Sequence, residues 1–383
     1  MHILLTNDDG PPQPGSSPYI LPFSRVLAAP PFSHRVSVVV PSQQRSWIGK
    51  AHLLPPSLYP AAAAAGAQQG GAPSPNEQLS DTVAPSWYDP ATGAVSTSPP
   101  RFRHSDDDEG ASAAPEVWAL IPGTPATCTQ LGLFHHSSLF PRDAAAAAPP
   151  VDLVISGPNY GRNTTAAFAL SSGTLGGALE AAVCGVRAVA VSFAYERGRP
   201  VTGAVVDEAC AHAARVVQRL CEGWAVAAQG DGDDGVPELF SVNVPLVEGV
   251  SRRVVRWTWM LGNKWRGGSL YKVVGGASSA DGPATGVVAA PTTTRDVAQG
   301  RGDEAGSKKE QHGGAAEREE DDNGGRLAFR WQPTFADIWA TVESSGAGND
   351  GLAVRDGETS VTPLRANFAG LHGRAGFEGE LKL

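Results

Sequence analysis

Short apolar runs rich in β-branched residues recur along this chain with helix-compatible segments between them, and that alternation restricts the fold more than any other feature. The runs are Ile3–Thr6, Arg35–Val40, Trp118–Ile121, Val151–Ser156, Ala188–Ser192 and Leu239–Val244. Most are continuously apolar, as strands covered on both faces are. Between them, Thr124-Pro125 reads as an N-cap with proline at the first helical position, opening a helix through Leu133. A second helix is predicted from Thr174 to Cys184, stopped by Gly185. A third, Val205 to Cys221, sets Val206, Cys210, Ala213, Val217, Leu220 and Cys221 along one face. The pattern predicts an α/β fold with a doubly wound, mostly parallel sheet, in which ligands gather beyond the carboxyl ends of the strands.

Two stretches interrupt the pattern. Residues 60–116 and 276–326 are dominated by small and polar residues, with too few large apolar side chains to offset the entropy of ordering them. Both are expected to be disordered insertions in a single domain spanning 1–383, with 327–383 as an accessory segment. They also carry the acidic excess behind the net charge of −9, which leaves the remainder close to neutral. No basic stripe is left to suggest a nucleic-acid polymer as partner.

Cys128, Cys184, Cys210 and Cys221 have neither metal-ligand spacing nor a disulfide-rich pattern, so buried thiols in a reducing compartment are expected. The chain opens directly on a strand-like run, no stretch of about 18 apolar residues occurs, and a cytoplasmic location with no membrane span is expected.

Chemistry-bearing groups follow the predicted strands. After the first comes Asn7-Asp8-Asp9-Gly10, where two adjacent carboxylates need a cation or strong donors to stay ionised together. A hard divalent ion would supply that, although Asp-Asp-Gly is also a common turn. After the second comes Arg45-Ser46: Ser46 could offer a neutral oxygen, and Arg45 could face a phosphate or only orient the loop. Gly157-Pro158-Asn159-Tyr160-Gly161-Arg162-Asn163 could give one amide oxygen to a metal and one amide donor to a substrate, or could be a plain turn. Ser171-Ser172-Gly173-Thr174 leads into a helix start suited to an anion. Each is ambiguous alone; their common position at strand carboxyl ends favours a joint site. Trp257, Trp259, Trp265 and Trp331 read as core or interface residues, one of which could stack on a base.

The blocks ILLTNDDG, VVVPSQQRS, IPGTPATC, DLVISGPNYGRN, SSGTLGGALEAAVCG, SVNVP and SVTPL appear in one order over most of the chain outside the two stretches. In this the chain resembles the SurE family of survival-protein nucleotidases and acid phosphatases, in the form found in fungi. The resemblance implies a Rossmann-like core with a C-terminal oligomerisation segment, and one divalent cation per subunit, Mg²⁺ or Mn²⁺, held by Asp8, Asp9, Ser46 and Asn159. It places phosphate contacts on Asn163, Ser172, Gly173 and Thr174. It also implies a homodimer or homotetramer that exchanges elements within Trp331–Val342 and Ser360–Leu364. Against the family pattern, Pro22 predicts a broken or shortened helix after the first motif.

The expected activity is metal-dependent hydrolysis of phosphate monoesters, nucleoside monophosphates among them, with Asp8 as general base and Asp9 beside it. The rival readings are a phosphatase with an aspartyl-phosphate intermediate and a catalytically silent binding scaffold.

Overall fold

The computed structural model describes residues 1–53, 82–99, 116–141, 150–195, 201–227, 236–265, 270–274 and 328–368. Its first half runs β1 (His2–Thr6), α1 (Ile20–Ala28), β2 (Arg35–Pro41), β3 (Ser86–Tyr88), β4 (Val95–Ser96), β5 (Trp118–Ile121), α2 (Pro125–Phe134), α3 (His136–Leu139), β6 (Leu153–Tyr160), α4 (Thr165–Ala169) and α5 (Gly173–Val183). There follow β7 (Ala188–Ala194), α6 (Gly203–Ala227), β8 (Leu239–Pro245), β9 (Val255–Trp257), β10 (Tyr271–Val274), β11 (Ala328–Trp331), α7 (Ala336–Glu343), α8 (Asp350–Arg355) and β12 (Thr359–Leu364).

One sheet has the order β4-β3-β5-β2-β1-β6-β7-β8-β12-β9. Its central strands, β5-β2-β1-β6-β7-β8, are parallel throughout and contain all the strands predicted from sequence. The chain moves outward from β1 through β2 to β5, then returns to the other side of β1 for β6. Strand order therefore reverses between β1 and β6, where a crevice opens in folds of this kind.

Successive strand residues face opposite sides, and both sides are covered. Ile3, Leu5, Val38, Val40, Ile155, Val189 and Val191 pack with α1 and α6 in one core. Leu4, Val39, Val154, Ala188 and Ala190 pack with α2 and α5 in the other. Each large side chain buried this way contributes roughly 1.5–3 kcal/mol, which explains why these runs lack polar alternation.

Helix α1 is continuous from Ile20, contrary to the expectation drawn from Pro22. Pro22 falls within its first turn, where a backbone N–H has no intrahelical partner to lose. Strand β6 runs on through Gly157-Pro158-Asn159, which the sequence suggested as a loop. Its pairing with β7 shifts register between Ser156 and Asn159, so the segment is an irregular strand end.

The stretch 276–326 lies outside the described residues, as do 60–81 and 100–115 of the first stretch. Residues 82–99 correct the expectation of disorder: β3 and β4 form a hairpin whose first strand pairs antiparallel with β5. Two aromatic residues account for it. Trp87 is buried and donates through Nε1 to Leu139 O at 2.8 Å, and Tyr88 packs against Trp118. At the other end, Ser360–Leu364 lies in β12, paired antiparallel with β8 of the same chain. No helix among the described residues is long and apolar enough to cross a membrane.

Candidate functional site

The loop leaving β1 is locked before any ligand is considered. Asn7 is fully buried; its Nδ2 donates to Gly10 O (2.9 Å) and Ser17 Oγ (3.1 Å), while Gly10 N donates to Asn7 Oδ1 (3.0 Å). Gly10 has φ +83°, and a Cβ there would sit 3.3 Å from Pro41 O, so the β1 and β2 loops meet backbone to backbone. Arg45 N donates to Asp8 O (2.6 Å), joining the same two loops.

Asp8 points at the start of α5. Its Oδ1 accepts from Thr174 Oγ1 at 2.8 Å, and the nearby backbone N–H groups of Gly173 and Thr174 also favour its charged form. A Cβ on Gly173 would lie 2.8 Å from Asp8 Cβ, so only glycine permits this approach. The helix start foreseen as an anion site thus already receives an anion from its own chain. Ser172 is the N-cap, its hydroxyl accepting from Leu175 N (3.0 Å).

Burial pushes Asp8 up to about 6, against the pull of Thr174 and the helix-start N–H groups. Asp9 goes well above the ordinary carboxylate range, first through burial and then through repulsion by Asp8; the Tyr160 N–H (2.7 Å) and Gln44 (3.4 Å) oppose the rise. The two titrate as a pair.

Asp8, Ser46, Asn159, Asn163 and Ser172 line a single small cleft at the strand reversal, so the structure brings together all four motif groups. Asp9, Gly173 and Thr174 are not part of its lining. Asn159 donates to Gly161 O (3.2 Å). Asn163 spends one amide hydrogen on Ser192 Oγ (2.8 Å) and its backbone N–H on Asn243 Oδ1 (2.8 Å), which anchors the loop to β7 and β8. For Arg45 the open alternative closes: Nε donates to Gly123 O (3.2 Å), so it orients the loop.

The expectation of one resident Mg²⁺ or Mn²⁺ per subunit is corrected. Among the described residues, no group of three or more His, Cys, Asp or Glu side chains could hold a metal ion. The physical premise behind the expectation was that paired carboxylates need a cation or strong donors. Here protein donors occupy Asp8 Oδ1 and both carboxylate oxygens of Asp9, and the raised proton affinity of the pair relieves the remaining repulsion.

Four further residues, Trp47, Arg162, Phe168 and Ser171, line the cleft without having been singled out. Arg162 is the cation of the lining, its guanidinium carbon 4.7 Å from the Trp339 ring centre. Its position inside the GPNYGRN run was the available signal. Trp47 and Phe168 form an apolar wall, and nothing in their local sequence marks them.

The family model described as Survival protein SurE matches residues 3–267. A Saccharomyces cerevisiae protein described as "Probable tubulin--tyrosine ligase PBY1" is 29% identical over 392 residues, covering 100% of this chain and 43% of that protein. The 5'-nucleotidase SurE of Ruegeria pomeroyi is 40% identical over 102 residues, 27% of this chain and 35% of its own length. That of Jannaschia sp. is 34% identical over 135 residues, 35% of this chain and 46% of its own length. The chain spans less than half the length of these curated relatives. The crystal structure of the SurE protein from Aquifex aeolicus superposes with TM-score 0.49 at 19% identity, covering 96% of this chain and 95% of that one.

Proposed function

Because the chain belongs to the SurE family, we propose that it hydrolyses phosphate monoesters in the cleft at the strand reversal, with nucleoside monophosphates as the preferred class. The observation that carries this reading is the convergence of Asp8, Ser46, Asn159, Asn163, Ser172 and Arg162 on one cleft beyond the parallel strands. The nucleotide preference is supported by the bacterial relatives described as 5'-nucleotidases.

In this reading the phosphoryl group sits against Arg162, the remaining amide hydrogen of Asn163 and the hydroxyl of Ser46. Arg162 and the amide take up charge on the nonbridging oxygens during attack. Asp8 accepts a proton from the attacking water as the water oxygen bonds to phosphorus; the bond from phosphorus to the ester oxygen breaks, and the departing oxygen leaves as the alcohol by taking a proton back from Asp8 or from solvent. Asp8 takes this role rather than Asp9 because it lines the cleft, whereas Asp9 is tied to Tyr160 N–H and Gln44. Thr174 and Gly173 act through Asp8, holding its carboxylate.

The test is a screen of the full chain against nucleoside monophosphates and simple phosphate esters, alongside Asp8→Asn. Turnover lost in Asp8→Asn supports the proposal. Turnover by neither protein, with phosphate esters still bound, would establish the silent scaffold instead.

A further inference from the structure

Trp47 combines three properties that a plain core tryptophan does not need together. It follows Ser46 directly and lines the same cleft as Asp8. Its backbone is left-handed, with φ +61°, a conformation that a bulky side chain adopts only when its surroundings impose it. Those surroundings are rings: Trp331 at 5.3 Å, Phe168 at 5.9 Å, Phe335 at 6.3 Å and Trp265 at 6.4 Å between centroids.

The strained backbone and the aromatic nest act on the same side chain. The nest draws residues from α4, α7, β11 and the segment after β9, so elements distant in sequence cooperate to hold one indole at the cleft. Phe168 meets it edge-on, with an interplanar angle of 77°, and lines the cleft too. The cleft therefore has a polar side for the phosphoryl group and an aromatic side that offers that group nothing. What an aromatic wall next to a phosphoryl site can recognise is the organic part of the ester.

Resting on the function proposed above, we infer that Trp47 is the specificity-determining residue of this cleft, giving a stacking surface to phosphate monoesters whose leaving group carries a planar ring. Stacking on an aromatic side chain tolerates any ring with a π face. Selection is therefore for aromatic over aliphatic leaving groups rather than for one base.

The experiment compares wild type, Trp47→Phe and Trp47→Leu on p-nitrophenyl phosphate, adenosine monophosphate and glycerol 2-phosphate. In Trp47→Leu, the ratio of kcat/KM for either aromatic ester to that for glycerol 2-phosphate falls by about tenfold or more, chiefly through KM, and Trp47→Phe restores most of it. Equal losses on all three esters, or an unchanged ratio, would overturn the inference. Calorimetric titration of the same proteins with adenosine monophosphate and with inorganic phosphate decides the point without turnover: weaker nucleotide binding with phosphate binding affected less supports the stacking role, and parallel weakening refutes it. A wild type that binds selectively but hydrolyses nothing would sink the proposed activity and leave the role of Trp47 standing. Should Trp47→Leu not fold, Phe168→Leu, which removes the ring that meets Trp47 edge-on in the cleft wall, is expected to lower the same ratio while Trp47→Phe keeps most of it; an unchanged ratio in Phe168→Leu would overturn the inference.

Discussion

Thr174 donates its hydroxyl to Asp8 Oδ1 at 2.8 Å across 166 residues of sequence, joining the end of the first strand to the start of the helix that packs beneath the cleft. This bond opposes the effect of burial on Asp8, which is pushed up to about 6. Thr174→Val removes a donor to the charged form, so the Asp8 proton affinity rises. A base must be deprotonated to work, so activity appears as pH climbs through its pKa. The acidic limb of the pH–rate profile is expected to move to higher pH in Thr174→Val by about half a unit to one unit. An unmoved limb would show that Asp8 is not the group being read.

The two aspartates should separate kinetically. Asp8→Asn is expected to lower kcat by a factor on the order of 10²–10⁴, the range for a lost general base. Asp9→Asn keeps an acceptor for the Tyr160 N–H and relieves the repulsion that Asp8 feels, so its loss should be at least tenfold smaller. Steady-state kinetics of both variants on one ester settles the order; the reverse order would exchange their roles.

Glycine is required where α5 meets the loops. A Cβ at position 176 would lie within 2.3 Å of Gly49 O, a backbone atom unable to swing away, whereas one at 173 would meet the Asp8 side chain. Gly176→Ala should therefore cost about 1–3 kcal/mol of stability. Gly173→Ala should cost less stability and more activity, because it displaces Asp8. Urea unfolding and kcat/KM on the two variants check this split.

Glu180 supplies a stability test at acid pH. Burial would raise its proton affinity, but Lys50 at 2.6 Å, Gln130 and His52 together hold it below the ordinary glutamate value of 4.5. A lowered folded-state pKa stabilises the protein above the unfolded value, and the contribution disappears as pH falls through the folded one. Glu180→Gln should thus unfold about 1 kcal/mol more easily near pH 7, a modest figure because Lys50 is partly exposed. The difference should vanish toward pH 3. Urea denaturation across that range measures it, and a gap that persists at pH 3 would mean packing rather than charge.

The parallel strands were legible because continuous apolar runs mean burial on both faces, and the helices of the Thr124-Pro125 and Thr174–Gly185 segments because caps and stops are local chemistry. The loop carboxylates, Ser46 and the two asparagines were legible as strand-end residues. What stayed hidden depended on distant partners. The β3–β4 hairpin lies in a stretch poor in apolar residues and exists because Trp87 and Tyr88 find Leu139 and Trp118. Arg45 could not be assigned until Gly123 stood beside it. A charge-based argument for a metal failed because nothing in Asp8-Asp9 reveals which donors will reach them.

From its residue order alone, this chain determines the alternation of elements, the sheet type and the edge on which polar groups collect, since these follow from periodicity, capping and the right-handed rule of parallel connections. Only the tertiary structure decided which of those groups meet. Asp8 owes its donors to a helix 166 residues away, and Trp47 owes its place at the cleft to rings from four other segments. Proton affinity and ring placement depend on burial and on neighbours in space, and neither is a property of the residues adjacent in the chain.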